Sequence, residues 1–441
     1  MIEPAQKFRT LPDWLGYLEC LHPKTIEMGL ERVKRVESNL DLEPVFPIIT
    51  VGGTNGKGST CAMLEAILSS AGYAVGCYTS PHLLRYNERV RVNRLEASDK
   101  ELCDAFQAVE SARTASGASL TYFEFGTLAA MQLFSRARVD VAILEVGLGG
   151  RLDAVNIFDA HCAVLTSIDL DHMDYLGDTR EEIGWEKAGI FRRGKPAICS
   201  EPDIPASISR YASSIEAHLL CIGEHFGYSA NANQWSFWGP GGRRHALPHP
   251  ALRGDYQLRN ASACLAALDS LRHILPVTMG DVRRGLLEVI WPGRFQVLAG
   301  RPATVLDVAH NPAAAEALAG NLDRMGSYRT TYAVFAMLRD KDIAGVGRAL
   351  LERVDVWLTA DIHAPRGASA GEVAQALASA GVTEAEKTIL AFPDPAAAYA
   401  YACEQAGGND RICVFGSFHT VADVLRYREW PGVHGKSQFD G

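Results

Sequence analysis

Long hydrophobic runs are missing from this chain, and so are cysteines paired as C-X-X-C. No apolar stretch approaches bilayer-spanning length, and Met1 to Thr10 carries charge and Pro4 without the apolar core of a secretion signal. Ten cysteines (Cys20, Cys61, Cys77, Cys103, Cys162, Cys199, Cys221, Cys264, Cys403 and Cys413) are scattered, several inside apolar runs, which argues against a disulfide framework or a zinc site. They read as buried thiols in a reducing cytoplasm. Low-complexity tracts and long basic runs are also lacking. With 43 Lys and Arg against 52 Asp and Glu, a formal charge of −9 argues against a nucleic-acid or anionic-membrane binder and leaves room for a local basic pocket.

What is present suits a globular protein. At 441 residues, 47% hydrophobic and 22% charged, the chain predicts two or three domains with a substantial core. Its most informative stretch is Thr50-Val51-Gly52-Gly53-Thr54-Asn55-Gly56-Lys57-Gly58-Ser59-Thr60, an apolar run joined to a helix-like run by a glycine-rich turn with one lysine. Glycines let successive amide N–H groups face an anion, the next helix N-terminus adds a favourable dipole, and Lys57 supplies a point charge for outer phosphates. A nucleoside triphosphate is the expected ligand. The pattern G-x-x-x-x-G-K-[ST] would want glycine where Val51 stands and a hydroxyl where Gly58 stands, so a variant loop is implied. Two glycines alone would suit a plain strand-to-helix connection; Lys57, with Ser59 and Thr60 behind it, turns the reading towards phosphate.

Apolar periodicity from Trp14 to Leu40 predicts helix, broken at His22-Pro23. A strand follows over Ile48 to Val51, then a helix with Met63, Leu64, Ile67 and Leu68 on one apolar face and an end near Gly72, then a strand over Ala74 to Tyr78. Runs at Val139 to Leu144 and Ala163 to Ile168 continue a β-α-β alternation, predicting an α/β fold with a doubly wound, mainly parallel sheet. Between about Pro202 and Gly254 an insertion of short antiparallel strands is expected, with a helix over Asn260 to Leu271 and a hinge at Trp291-Pro292-Gly293-Arg294. A boundary near 297 then opens a smaller α/β domain, Rossmann-like, with strands over Thr304 to Val308, Tyr332 to Phe335, Val356 to Thr359 and Ile412 to Phe415.

Ligands of open parallel sheets sit beyond the strands' carboxyl ends, and there this sequence is rich in polar groups. The strands are followed by the phosphate turn, by Thr79-Ser80-Pro81-His82, by Glu145 to Asp153, and by Asp169, Asp171, His172 and Asp174. Magnesium prefers oxygen ligands, so Glu145, Ser80, Asp169 and Asp171 rank as candidates above His172, although each alone also suits a cap or turn. Lys187, beside Ala188-Gly189-Ile190, suits either a solvated cation or a partly buried amine open to modification. Asp307, His310 and Asn311 follow a later strand, where a helix-capping turn before Pro312 is the plainer reading.

Gly53 to Ser59, Thr79-Ser80-Pro81-His82-Leu83, Glu145 to Asp153, Asp171-His172, Lys187-Ala188-Gly189-Ile190, Pro292-Gly293-Arg294 and Asp307-Val308-Ala309-His310-Asn311-Pro312 occur in the order of the folylpolyglutamate synthase family. From about Trp14 to Val424 the chain resembles its bifunctional bacterial members, relatives of the Mur ligases that share the shorter phosphate turn. The resemblance implies an ATP-binding domain over residues 1–297 with a helical lead, and a glutamate ligase domain over 298–441. It implies that Thr54, Asn55, Gly56, Lys57, Gly58 and Ser59, with Asn260, Arg294 and Asp307, bind ATP. Ser80, Glu145 and His172 would ligate Mg²⁺, and Lys187, carbamylated by CO₂, a second Mg²⁺. His310 and Ser417 would serve the second domain's part of the site. The pterin would lie by His22 and Pro23, by Thr121, Tyr122, Phe123 and Glu124, and by Leu152, Asp153 and Ala154.

The implied reaction joins L-glutamate to dihydropteroate or a reduced folate. The acceptor carboxylate attacks the γ-phosphate, phosphate becomes the leaving group, and a neutral glutamate amine displaces it; Lys57, Lys187, His172, Arg294 and His310 form the expected catalytic set. A monomer in the cytoplasm is expected. Three alternatives stay open: tail lengthening alone, a Mur-type ligation on a muramyl substrate, and an ATP-binding switch without ligation. The lead of about fifty residues before the phosphate turn is short for a nucleotide-sugar domain.

Overall fold

A computed structural model describes residues 10–24, 26–40, 42, 44–382 and 387–429; all but the last residue of Met1 to Thr10 lie outside them. The chain divides into two compact units, residues 1–251 with 257–290, and residues 252–256 with 291–441. The second unit takes up the chain again at Trp291, and its first strand begins at Gln296, with the boundary expected near 297.

In the first unit, α1 (Leu11–Leu21) and α2 (Glu31–Glu37) precede β1 (Ile48–Gly52). Thr10 starts α1 through a capping box with Asp13, and the chain turns extended at His22, where the break was expected. The order continues α3 (Lys57–Ser70), β2 (Val75–Tyr78), β3 (Val90–Val92), β4 (Leu95–Glu96), α4 (Asp99–Ser116), α5 (Tyr122–Ala137), β5 (Val141–Glu145), β6 (Cys162–Leu165), α6 (Met173–Leu176), α7 (Arg180–Ala188), β7 (Pro196–Cys199), α8 (Ala206–Ser214) and β8 (His218–Cys221). Strands pair in the order β4-β3-β2-β5-β1-β6-β7-β8. From β2 to β8 all pairs are parallel, and β3 and β4 add an antiparallel edge. Both β1 and β5 are buried along their whole length, as parallel strands covered on both faces must be.

Two expectations need correction. The helix after the phosphate turn was expected to show one apolar face, yet α3 is buried on every side from Gly58 to Leu68. The sheet lies on one side of it and α10 (Met279–Glu288), which follows α9 (Tyr256–Ser270), on another. The insertion is also narrower than Pro202 to Gly254, since β8, which follows α8, still pairs with β7 in the main parallel sheet. Only β9 (Gly227–Ala230), β10 (Trp235–Gly239) and β11 (Gly242–Leu247) form the separate antiparallel sheet.

The second unit holds β12 (Gln296–Leu298), β13 (Ala303–Leu306), α11 (Pro312–Arg324), β14 (Thr331–Phe335), α12 (Ile343–Leu350), β15 (Val356–Ala360), α13 (Ala370–Ser379), β16 (Thr388–Phe392), α14 (Pro395–Gln405), β17 (Arg411–Phe415) and α15 (Phe418–Glu429). Its sheet runs β12-β13-β17-β14-β15-β16, parallel but for β12. Phe335, Trp357 and Phe415 pack their rings together in its core. All ten cysteines are free thiols. Among the described residues no helix is long and apolar enough to cross a membrane.

Candidate functional site

The phosphate turn is held from two sides. Gly53 has φ +139° and Gly56 φ +89°, conformations that side chains resist. A Cβ on Gly53 would also lie 2.0 Å from Thr166 Oγ1, and one on Gly56 would lie 2.8 Å from Asn260 Oδ1. Thr54 N–H donates to Ser167 O, and its hydroxyl exchanges hydrogen bonds with the Asp169 backbone at 3.1 and 3.0 Å. Lys57 Nζ folds back to donate to Gly53 O at 2.8 Å and Thr54 O at 3.0 Å, which places its charge over the turn. Gly58 and Ser59 are buried in the first turn of α3, and Asn260 reaches Ser59 through Gln257. Gln257 was not anticipated; its spacing of three from Asn260 on one helix face was the available signal.

At the end of β5, Glu145 is 3% exposed and accepts the Ser80 N–H at 3.0 Å. His172 adopts φ +51° after Asp171, with Nε2 3.8 Å from the Asp171 carboxylate. Asp169, a candidate on chemical grounds, instead braces the phosphate turn through its backbone. Lys187 is 4% exposed on α7, and Gly150 lies so close that a Cβ there would meet Lys187 O at 2.8 Å. Burial, with the Lys57 charge adding to it, lowers Lys187 to about 7 against the pull of Asp171 and Asp153. The amine is thus kept out of solvent and poised to be neutral.

Beside these groups lies a pocket of about 240 Å³. Thr121, Phe123, Glu124, Leu152, Asp153 and Ala154, expected beside the pterin, line it together with Ser80 and His172, expected as metal ligands. Thr121 opens α5 with a capping box in which Glu124 returns to the Thr121 N–H at 2.8 Å, so one sequence signal shapes both helix and wall. Asp153 accepts N–H groups from Gly147 and Leu148 at Oδ2 and from Val155 at Oδ1. Burial nonetheless pushes its carboxyl up to about 7, against those N–H groups and Lys57. Three expected residues do not line the pocket. His22 turns Nδ1 to Lys24 O and Nε2 towards Glu27 at 3.5 Å, Pro23 is exposed, and Tyr122 packs its ring on Tyr86. Ile26, Glu27 and Met28 take the place given to His22 and Pro23. Arg89 also lines the pocket and was not anticipated, although it lies nine residues beyond Ser80 in the same segment. Arg32 ties the walls together, donating to Glu27 at 2.9 Å and to Glu124 at 2.8 Å.

In the second unit, buried Asp307 accepts N–H groups from Phe295 and Ala309, each at 2.8 Å, and burial raises its carboxyl to about 6 against the pull of Arg294. The Arg294 guanidinium lies 5.2 Å from the Phe418 ring centroid, and His310 faces the same ring at 6.4 Å. Ser417 Oγ accepts the His419 N–H. Asn311 caps α11 ahead of Pro312, as the plainer reading had it. Arg294, Asp307, His310 and Ser417 thus gather at the carboxyl ends of β13 and β17 and around the start of α15.

The description "Mur ligase middle domain" matches residues 51–268, and "Mur ligase, glutamate ligase domain" matches 293–418. The chain is similar to the dihydrofolate synthase/folylpolyglutamate synthase of Escherichia coli K12, at 47% identity over 94% of each chain. Its structure is similar to that of E. coli FolC in complex with DHPP and ADP, with a TM-score of 0.91 at 46% identity over 96% of this chain and 99% of that one. A bifunctional folylpolyglutamate synthase/dihydrofolate synthase with Mn, AMPPNP and L-glutamate bound gives 0.88 at 47% identity, over 96% and 99%. The chain belongs to the dihydrofolate synthase/folylpolyglutamate synthase family of Mur ligases.

Proposed function

We propose that this protein is an ATP-dependent ligase, working in the cytoplasm, that joins L-glutamate in amide linkage to dihydropteroate, forming dihydrofolate, and to reduced folates, lengthening their glutamyl tails. The observation that carries the reading is the pocket flanked by Phe123 and Asp153 and opening on Ser80 and His172, with the Lys57 charge acting on Asp153. Phe123 offers a ring face to a flat heterocycle, and Asp153 offers a carboxyl to its N–H groups. Adenine nucleotide, manganese and L-glutamate occupy a relative's structure, and DHPP another's.

A carboxylate is a poor acyl donor because its leaving group would be oxide. Its oxygen therefore forms a bond to the γ-phosphorus of ATP while the bond to ADP breaks, giving an acyl phosphate. The glutamate amine, deprotonated, then adds to the acyl carbon, and phosphate departs with the bonding pair as the amide forms. Thr54 to Ser59 hold the phosphates, Lys57 offsets charge on the transferring group, and Asn260 keeps the turn open at Gly56. Ser80, Glu145 and His172 form a mainly oxygen set that suits a first Mg²⁺, and Lys187 as its carbamate would hold a second. Those ions supply charge neutralisation and a template for the phosphoryl group. Carbamylation needs a neutral amine, whose nitrogen bonds the carbon of CO₂ and loses a proton; a buried Lys187 at about 7 supports that chemistry. Arg294 and Asp307 are assigned to the nucleotide, and His310 and Ser417 to the second unit's share of the reaction.

Phosphate release from ATP tests the reading. Release should require both L-glutamate and either dihydropteroate or a tetrahydrofolate; release without an acceptor, or only with a muramyl peptide substrate, would overturn it.

A further inference from the structure

Arg89 stands out because it faces the pocket while bound to none of the pocket's carboxylates. It directly precedes β3, and its carbonyl accepts the Thr79 N–H at 2.9 Å, so its backbone lies next to Ser80. Nε donates to His82 Nδ1 at 2.8 Å, and the guanidinium carbon lies 5.4 Å from the ring centroids of both Tyr86 and Tyr122. The two rings meet edge-on at 5.8 Å. This clamp fixes the plane of the fork and leaves both terminal amino groups without a hydrogen-bonded or ion-paired partner among the described residues. Elsewhere in the pocket the charges are matched. Glu27 and Glu124 share Arg32, and Asp153 is ringed by three backbone N–H groups. Among the described residues that line the pocket, Arg89 is thus the arginine with donors to spare.

We propose that Arg89 receives the spectator carboxylate of a folate's glutamyl residue, the one left unreacted while its partner is extended, and so sets affinity for glutamylated pterins apart from affinity for dihydropteroate. The proposal rests on the ligase reading above. A planar guanidinium grips a carboxylate through two parallel N–H donors, a geometry that ammonium cannot copy. Such a grip suits a spectator group. Imposed on the reacting carboxylate, it would occupy the oxygen lone pairs that must attack phosphorus. Dihydropteroate carries only the reacting carboxylate, so with that substrate the Arg89 fork has nothing to hold.

Full-length wild type, Arg89→Gln and Arg89→Lys are compared with dihydropteroate and with tetrahydropteroylglutamate. Arg89→Gln should raise KM for the glutamylated substrate at least about tenfold more than it raises KM for dihydropteroate, the scale of a charge-assisted pair, without a matching split in kcat. Arg89→Lys should fall between. Binding of pteroyl-γ-aminobutyrate, which lacks the spectator carboxylate, should be equal in wild type and both variants, whereas binding of pteroylglutamate should weaken at least about tenfold in Arg89→Gln. An equal rise of both KM values, no rise in either, or an equal loss for the analogue overturns the assignment. Failure of wild type to turn over with glutamate would sink the ligase reading instead, and the paired binding titrations would still decide the role of Arg89.

Discussion

Glu145 closes β5 with one oxygen on the Ser80 N–H, a carboxylate held in a nearly dry place where an added cation would find it fixed in advance. Glu145→Gln keeps the shape and removes the charge, so amide formation should fall at least about a hundredfold while the melting temperature stays close to wild type. Near-normal turnover would refute the metal role. Lys187 makes a pH prediction. Held at about 7 by burial, its amine is mostly protonated at pH 6 and mostly neutral at pH 8, so carbamylation and turnover should climb across that interval and respond to added bicarbonate. Lys187→Arg keeps the cation at all these values and should lose both the activity and the ¹³C-bicarbonate-derived carbamate signal seen by NMR; a variant that retains the signal would move the modification elsewhere. At this scale the sequence placed Lys57, Ser80 and Glu145 at strand ends, where the structure has them, while on chemical grounds it ranked His172 below Asp169 and Asp171. It was opaque where the decisive fact is a contact made across the fold, as with Arg32 joining Glu27 to Glu124, or Arg89 between two tyrosine rings.

Among elements, α3 matters most because its first turn is the phosphate site, and its position depends on a glycine far along the chain. Gly285 of α10 lies against the α3 backbone, where a Cβ would stand 2.6 Å from both N and Cα of Ile67. Backbone cannot yield as a flexible side chain does. Gly285→Ala should therefore destabilise the first unit by about 1–3 kcal/mol and shift α3 enough to weaken nucleotide binding, although residue 285 touches no phosphate. Urea unfolding and titration with AMPPNP check the two effects; a variant as stable as wild type with unchanged affinity would show that the helices can part freely. Central elements were legible, with β1, β5, α9 and β14 falling within a few residues of expectation. Edge strands were not. β3, β4, β12 and β16 lie at or next to a sheet edge, and the edge strand β8, assigned to the insertion, is exposed at His218 and only half-buried beyond it, which weakens the apolar signal. The inverse error befell α3, where Met63, Leu64, Ile67 and Leu68 read as a single apolar stripe on a helix that is in fact covered on all sides.

Among the described residues one core of the first unit gathers around Trp14, Phe106 and Phe125, and one of the second around Phe335, Trp357 and Phe415. The matched family regions, residues 51–268 and 293–418, divide the chain in the same place. Each sheet carries its own parallel strands and covering helices, so each unit has what a cooperative folding unit requires. Calorimetry should then resolve two transitions. Trp357→Ala empties a fully buried site in the second core, a loss of about 3–5 kcal/mol, and should lower one transition by roughly 10 °C while leaving the other in place. Gly285→Ala should do the opposite. AMPPNP with Mg²⁺ binds the folded phosphate turn, so it should raise the transition that Gly285→Ala lowers, with a shift that grows with ligand concentration. A single transition that moves as a whole with either substitution would mean that the two cores melt as one, and the assignment of the phosphate turn to an independent folding unit would have to be given up.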